Sequence, residues 1–161
     1  YYEYLTRSNS DTVSLKEEYS HIINYLSIQN MRFEDIFDLE IEALPGNFQN
    51  IPVPRLILQP LAENIIKYGL VPGQEECIIR ISIVQCRENY LYVTIENSGK
   101  ITADELNRIQ MLLSENQPST SSIGMKNIHT RLQLYYHDDS CGLEITRSNL
   151  GGLCVTVIIR R

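Results

Sequence analysis

The stretch ILQPLAENIIKYGL, residues 57–70, decides how this chain is read. Ile57, Leu58, Leu61 and Ile65 recur near helical spacing and predict a helix over about 55–69. Gly69 falls where a helix C-cap is expected, and Pro72-Gly73 enforces the stop. Yet Glu63, Asn64 and Lys67 interrupt the apolar run, and asparagine is a poor helix former. An acid beside an amide in the middle of such a helix faces either water or something that needs both groups.

Outward from this stretch, the pattern alternates between helices and paired strands. Ser14 and Glu17 form an S-x-x-E capping box. Leu15, Tyr19, Ile22, Leu26 and Phe33 then predict a helix over about 15–35. FDLEIEAL alternates as a strand does. PGNFQNIPVP reads as a turn-rich connection whose prolines block a helix until Arg55.

CIIRISIVQCREN and YLYVTIENSG are two alternating strands joined by a polar turn, REN. Thr102 and Glu105 make a second capping box ahead of a helix through ADELNRIQMLLSEN. QPSTSS is a small-polar loop without an apolar anchor and is expected to be mobile. IGMKNIHTRLQLYY is a helix by Ile123, Ile128, Leu132 and Tyr135. CGLEITRSN and LCVTVIIRR close the chain as strands around the turn NLGG. Strands arriving in adjacent pairs favour a mixed, mainly antiparallel sheet with helices on one face, an α/β (α+β) two-layer sandwich.

Bulk composition narrows the function classes. The 161 residues suffice for one domain with a core, and 43% hydrophobic residues mark a globular chain. A net charge of -6 argues against a general nucleic-acid or anionic-membrane binder. No apolar run approaches the roughly 20 residues of a membrane helix. The chain begins YYEYLTRSNS, without Met or a signal peptide, and is expected to be a fragment of something longer. Cys77, Cys86, Cys141 and Cys154 form no CxxC pair, so they read as free thiols in a reducing compartment. His21, His129 and His137 form no ligand pattern.

Three motifs in order carry a resemblance. LKEEYSHIINYLSIQNMRFED, through Leu15, Glu18, Tyr25, Leu26, Ile28, Arg32 and Phe33, is similar to the leading helix of the catalytic ATP-binding domain of LytS/YesM-type sensor histidine kinases. IPVPRLILQPLAENIIKYG resembles the N box of that domain, and SIGMKNIHTRLQLYY its G-x-G-L-x-N-x-x-x-R-L segment. The resemblance covers nearly the whole chain and is most specific at the N box. It places the chain in the GHKL superfamily and implies the Bergerat-type ATP-binding fold. Residues 15–161 would be the catalytic domain and 1–14 the end of an upstream dimerisation or linker region.

The resemblance also implies a site. Asn64 would hold Mg²⁺ against the triphosphate, for which an amide oxygen is a suitable hard ligand. Glu63 would polarise or accept a proton near the γ-phosphate. Lys67, three residues from Asn64, would reach a phosphate, and the Tyr68 ring would pack on the nucleotide. In TIENSGKI the family's D-x-G-x-G becomes Asn97-Ser98-Gly99-Lys100-Ile101. Asn97 replaces the aspartate that accepts from the adenine amino group, and Ile101 replaces the second glycine. Asn97 could still accept through its carbonyl oxygen, without the charge that roughly doubles such a bond. Ser122 stands at the family's first lid glycine and Gly124 at its second. Gly124, Met125 and Asn127 would line the phosphate side at a helix N-terminus, after a short lid, with Arg131 structural.

Family members carry the phosphoacceptor histidine on a dimerisation helix N-terminal to this domain. That motif is missing here, and His21 reads as a surface residue. The implied function is Mg·ATP binding and γ-phosphoryl donation to a histidine of that absent domain, in two-component signalling with a response regulator. The implied setting is a membrane-anchored homodimer with this domain on the cytoplasmic side of a bacterial inner membrane. Two rivals remain. One is a degenerate, non-catalytic module that serves as a signalling or dimerisation platform, favoured by Asn97 and Ile101. The other is a hydrolytic GHKL ATPase in which Glu63 activates water, disfavoured by the short lid and the missing transducer domain.

Overall fold

The structure, a computed structural model, describes residues 12–33, 36–69, 77–86, 89–114 and 123–161. The expected REN turn lies largely outside them. So do the Pro72-Gly73 stop, the QPSTSS loop and Ser122. Five strands form one sheet: β2 (Phe37–Ile41), β4 (Cys77–Cys86), β5 (Tyr90–Asn97), β7 (Leu153–Arg160) and β6 (Gly142–Arg147), in that spatial order. β2 runs parallel to β4, and the other pairings are antiparallel. The expected mixed, mainly antiparallel sheet is therefore present.

Helices α1 (Leu15–Arg32), α2 (Gln59–Gly69), α3 (Ala103–Ser114) and α4 (Ile123–Tyr136) accompany it. They cover one face, and the burial of β5 and β7 alternates residue by residue. One inward row runs across all five strands through the register Ile41–Ile81–Ile95–Val155–Ile145. β-Branched side chains suit such rows because they pack well on a pleated surface. The next inward row contains Leu39, Ile79 and Asn97, so the pleat turns Asn97 toward the helices.

The helix layer meets this sheet with Leu15, Ile22 and Leu26 of α1, Leu61 and Ile65 of α2, and Leu132 of α4, all fully buried. Truncating one such leucine to alanine costs about 2–5 kcal/mol. Both capping boxes form as read: Ser14 with Glu17 starts α1, and Thr102 with Glu105 starts α3.

Two boundaries differ from the sequence reading. α1 ends at Arg32, and α2 starts at Gln59 rather than near Arg55. Residues 55–58 form a turn in which Leu56 has φ 55, a left-handed conformation that ends helical propagation. The proline-rich connection also holds structure. A single 3-10 turn covers Gly46–Phe48. Strand β3 (Pro52–Pro54) pairs antiparallel with β1 (Thr12–Ser14) in a separate two-stranded ribbon. Proline is tolerated in so short an edge pairing because a free side needs no donor.

Candidate functional site: the polar face of α2 and its cleft

The turn before α2 is built from outside the helix. Glu18 of α1 is 1% exposed. Its carboxylate accepts the backbone N–H groups of Leu56 at 2.7 Å, Ile57 at 3.0 Å and Leu58 at 3.2 Å. These donors lie just ahead of the helix start, where a carboxylate also suits the helix dipole. On the other side, Arg131 of α4 donates to the carbonyls of Arg55 at 2.6 Å and Leu56 at 3.0 Å. Arg131 is thus structural, as read.

α2 then presents two faces. Leu61, Ala62, Ile65 and Ile66 are buried, whereas Glu63 and Lys67 are exposed and Asn64 and Tyr68 half-buried. The polar pair of the opening stretch therefore faces away from the core. Asn64 Nδ2 donates to the carbonyl of Pro60, one turn back, at 2.8 Å. That bond fixes which way the amide points, because only the NH₂ group can meet a carbonyl. Oδ1 is left as the hard oxygen available to a cation. Glu63 accepts from Gln59 Nε2 at 3.0 Å. Gln59 is 6% exposed, and its own Oε1 is buried without a hydrogen-bond partner.

Beyond Asn64, Lys67 Nζ stands 5.6 Å from the centroid of the Tyr68 ring, within cation–π range. Both residues open onto a cleft of about 200 Å³ between α2, α3 and α4. Its remaining walls are Glu105, Arg108, Ile109 and Leu112 of α3 and Met125 of α4. That volume is below the roughly 300–1,000 Å³ usual for ligand pockets. Thr102 donates to the Glu105 carboxylate and holds it below the usual carboxylate range. The cleft thus combines two cations, one carboxylate and an aromatic and aliphatic lining.

The other site residues divide. Met125 is buried in the cleft wall. Gly124 is exposed in the first turn of α4, and a Cβ there would meet nothing within 4 Å. Asn127 instead looks out beside Lys126, Thr130 and Arg131 on a second, shallower depression. Asn97 is 0% exposed and is not a wall of the cleft. Gly99 packs under the end of α2, where an added Cβ would lie 2.7 Å from the Tyr68 carbonyl. Ile101, the second departure from the family pattern, belongs to the core at 4% exposure. Arg108 belongs to no motif and was not singled out by the sequence, and Glu105 was read there only as a capping residue. The capping box at Thr102 was the available signal, because it fixes the phase of α3.

Comparison with known proteins bears on this arrangement. No family model matches the chain. The sensor protein kinase HptS of Staphylococcus aureus (strain bovine RF122 / ET3-1) is 29% identical over 159 residues, covering 98% of this chain and 30% of that protein. The chain is a relative of the sensor histidine kinases. It spans about a quarter to a third of the length of the curated kinases that it matches. Its fold is that of histidine kinase catalytic domains. The histidine kinase domain of the Erythrobacter litoralis EL346 blue-light activated kinase matches with TM-score 0.61 at 15% identity, covering 98% of this chain and 67% of that one. The ATP binding domain of PrrB from Mycobacterium tuberculosis matches with TM-score 0.57 at 16% identity, covering 94% and 98%.

Among the described residues, no group of three or more His, Cys, Asp or Glu side chains could hold a metal ion. A Mg²⁺ shared with phosphate needs only one or two protein ligands, and Asn64 Oδ1 fits that need. No helix of the described residues is long and apolar enough to cross a membrane.

Proposed function

We propose that this chain binds Mg·ATP and positions the γ-phosphoryl group for transfer to a histidine on a dimerisation domain of the same protein. The observation that carries the reading is the polar face of α2. Asn64, with its amide oriented by Pro60, lies one turn from Lys67 and Tyr68, which open on the cleft closed by α3 and α4. The kinship with sensor kinases points the same way.

In this reading Lys67 and Arg108 meet the phosphates, and Tyr68 and Met125 offer surfaces to the nucleotide. Gly124 lets phosphate approach the backbone N–H groups of the first turn of α4. Asn127 serves at the outer edge, and Asn97 and Gly99 form the floor under α2. Mg²⁺ held by Asn64 Oδ1 would neutralise charge on the phosphates. Glu63, steadied by Gln59, polarises or accepts a proton near the transferred group. Residues 15–161 act as the catalytic unit, and 1–14 belong to the end of the upstream region. In the whole protein the phosphoryl group passes to a response regulator, from a membrane-anchored homodimer with this domain on the cytoplasmic side.

Calorimetry of this chain with a non-hydrolysable ATP analogue tests the reading. Binding that weakens when Mg²⁺ is removed is expected, and no heat with or without Mg²⁺ would sink it. The enclosed amide of Asn97 favours a second reading, a signalling module that has lost nucleotide binding, and the same titration separates the two.

A further inference from the structure

We infer that Asn97 does not read the nucleotide base, and that this site therefore accepts ATP and GTP nearly alike. The inference rests on the nucleotide-site reading above and deepens it.

Asn97 ends β5 on the inward face, opposite Ile79. Its Nδ2 donates to the backbone carbonyl of Ile65 in α2 at 2.7 Å. Its Oδ1 accepts from Leu153 N at 3.0 Å and Gly99 N at 3.3 Å. Both lone-pair positions of the oxygen are thus taken by backbone. An incoming amino group, such as that of adenine, finds no free acceptor.

The space is taken as well. A Cβ on Gly152 would fall 1.7 Å from Oδ1, and one on Gly69 would fall 2.7 Å from Nδ2. Backbone is packed to contact on both sides of the amide, and no part of the residue is exposed. Asn97 joins helix α2 to strands β5 and β7 rather than lining a pocket.

The amide is also chemically required by this packing. A carboxylate has no hydrogen to give to Ile65, so an oxygen would face a carbonyl oxygen at the observed separation. Two acceptors at that distance repel, and burial makes the mismatch costly.

Among the described walls of the cleft, the one carboxylate, Glu105, is turned to its capping partner Thr102, and the other groups do not distinguish purines. Lys67 and Arg108 address phosphate. Tyr68, Ile109 and Met125 offer flat or apolar contact, and stacking is tolerant of the base because every base has a π-face.

The test is calorimetry of this chain with non-hydrolysable analogues of ATP and GTP in the same Mg²⁺ buffer. Dissociation constants within about threefold of each other are expected. A preference for the ATP analogue of about tenfold or more overturns the inference and leaves the nucleotide-site reading standing. Failure to bind either analogue overturns both. Asn97→Asp supplies a second arm. It should melt at a lower temperature and leave the ratio of ATP to GTP affinity unchanged. A shift of that ratio toward ATP by about fivefold or more also overturns the inference.

Discussion

Leu56 is held from both sides: its N–H is bound by Glu18 at 2.7 Å, and its carbonyl is bound by Arg131 at 3.0 Å. Helices α1 and α4 therefore grip one residue, and that residue has φ 55. A left-handed leucine is rare and costs of order 1–3 kcal/mol. It persists here because these partners fix the peptide groups around it.

Replacing Glu18 should be the most damaging single change in this turn. Glu18→Ala leaves three N–H groups without their acceptor, two of them from the fully buried residues Ile57 and Leu58. A loss of about 3–5 kcal/mol is expected. Glu18→Gln keeps one acceptor oxygen and should lose less. Arg131→Ala removes bonds from an exposed side chain and should cost only about 1 kcal/mol. Urea unfolding of the three variants checks the order. Equal losses for Glu18→Ala and Arg131→Ala would refute the account of the turn.

Asn64 should show the opposite balance. Its amide is half-buried and, among the described residues, bonds only to a carbonyl of its own helix. Asn64→Ala is expected to change stability by less than about 1 kcal/mol, because it deletes one solvent-accessible hydrogen bond. It should weaken Mg-dependent binding of an ATP analogue at least tenfold, or about 1.4 kcal/mol. Parent-like binding together with a much lower melting temperature would make Asn64 a structural amide.

Gly152 is predicted to tolerate no side chain. A Cβ there would lie 1.7 Å from Asn97 Oδ1 and 2.7 Å from its carbonyl oxygen. Gly152→Ala must push β7 off β5 or expel the Asn97 amide, and a loss of 3 kcal/mol or more is expected, on the order of a severe overpacking event. Gly46→Ala, where nothing lies within 4 Å, is the control and should be nearly neutral. Similar melting temperatures for the two variants would contradict this packing.

Stability should rise with pH between about 5.5 and 7 because of His129. Burial lowers its pKa from the ordinary 6.5, and its Nδ1 accepts the Leu143 N–H, a bond that protonation of that nitrogen would break. The unfolded chain therefore takes up a proton that the folded chain resists, and stability falls as pH drops below about 6.5. Denaturant midpoints at about pH 7.5 and about pH 5.5 test this. His129→Gln should lose less between those two conditions than the parent. An equal drop would assign the pH dependence to other groups.

Local signals made most of the fold readable. The capping boxes at Ser14 and Thr102 fix two helix starts, and the alternation of β4, β5, β6 and β7 gives the sheet its inner face. What escaped depends on partners distant in sequence. α2 begins late because a carboxylate some 40 residues upstream holds its leading turn. The β1–β3 ribbon has only three residues on each side and two prolines, too little for any pattern. In the site, Glu63, Asn64, Lys67 and Tyr68 were legible as the polar face of one apolar helix. Arg108 was not, because an exposed arginine on a helix has no distinguishing neighbours until the helices are packed. The alternation Leu91, Val93, Ile95, Asn97 already put that amide inward. Its acceptor, the carbonyl of Ile65, carries no side-chain signature at all.

The place where Glu18 meets the turn also sets what kinds of motion can pass between the helices. Glu18 lies near one end of α1, and Arg32 is 14 residues, or about 21 Å, farther along. A tilt of about 5° around Glu18 as fulcrum swings Arg32 by about 2 Å and leaves the carboxylate where it was. A roll of α1 about its own axis is different. With side-chain tips about 6 Å from the axis, a roll of about 20° drags the carboxylate by about 2 Å, more than its bonds to the turn can stretch. The joint is therefore compliant to bending and stiff to torsion. Of the movements available to α1, twisting is the one felt at the helix that carries Glu63 and Asn64.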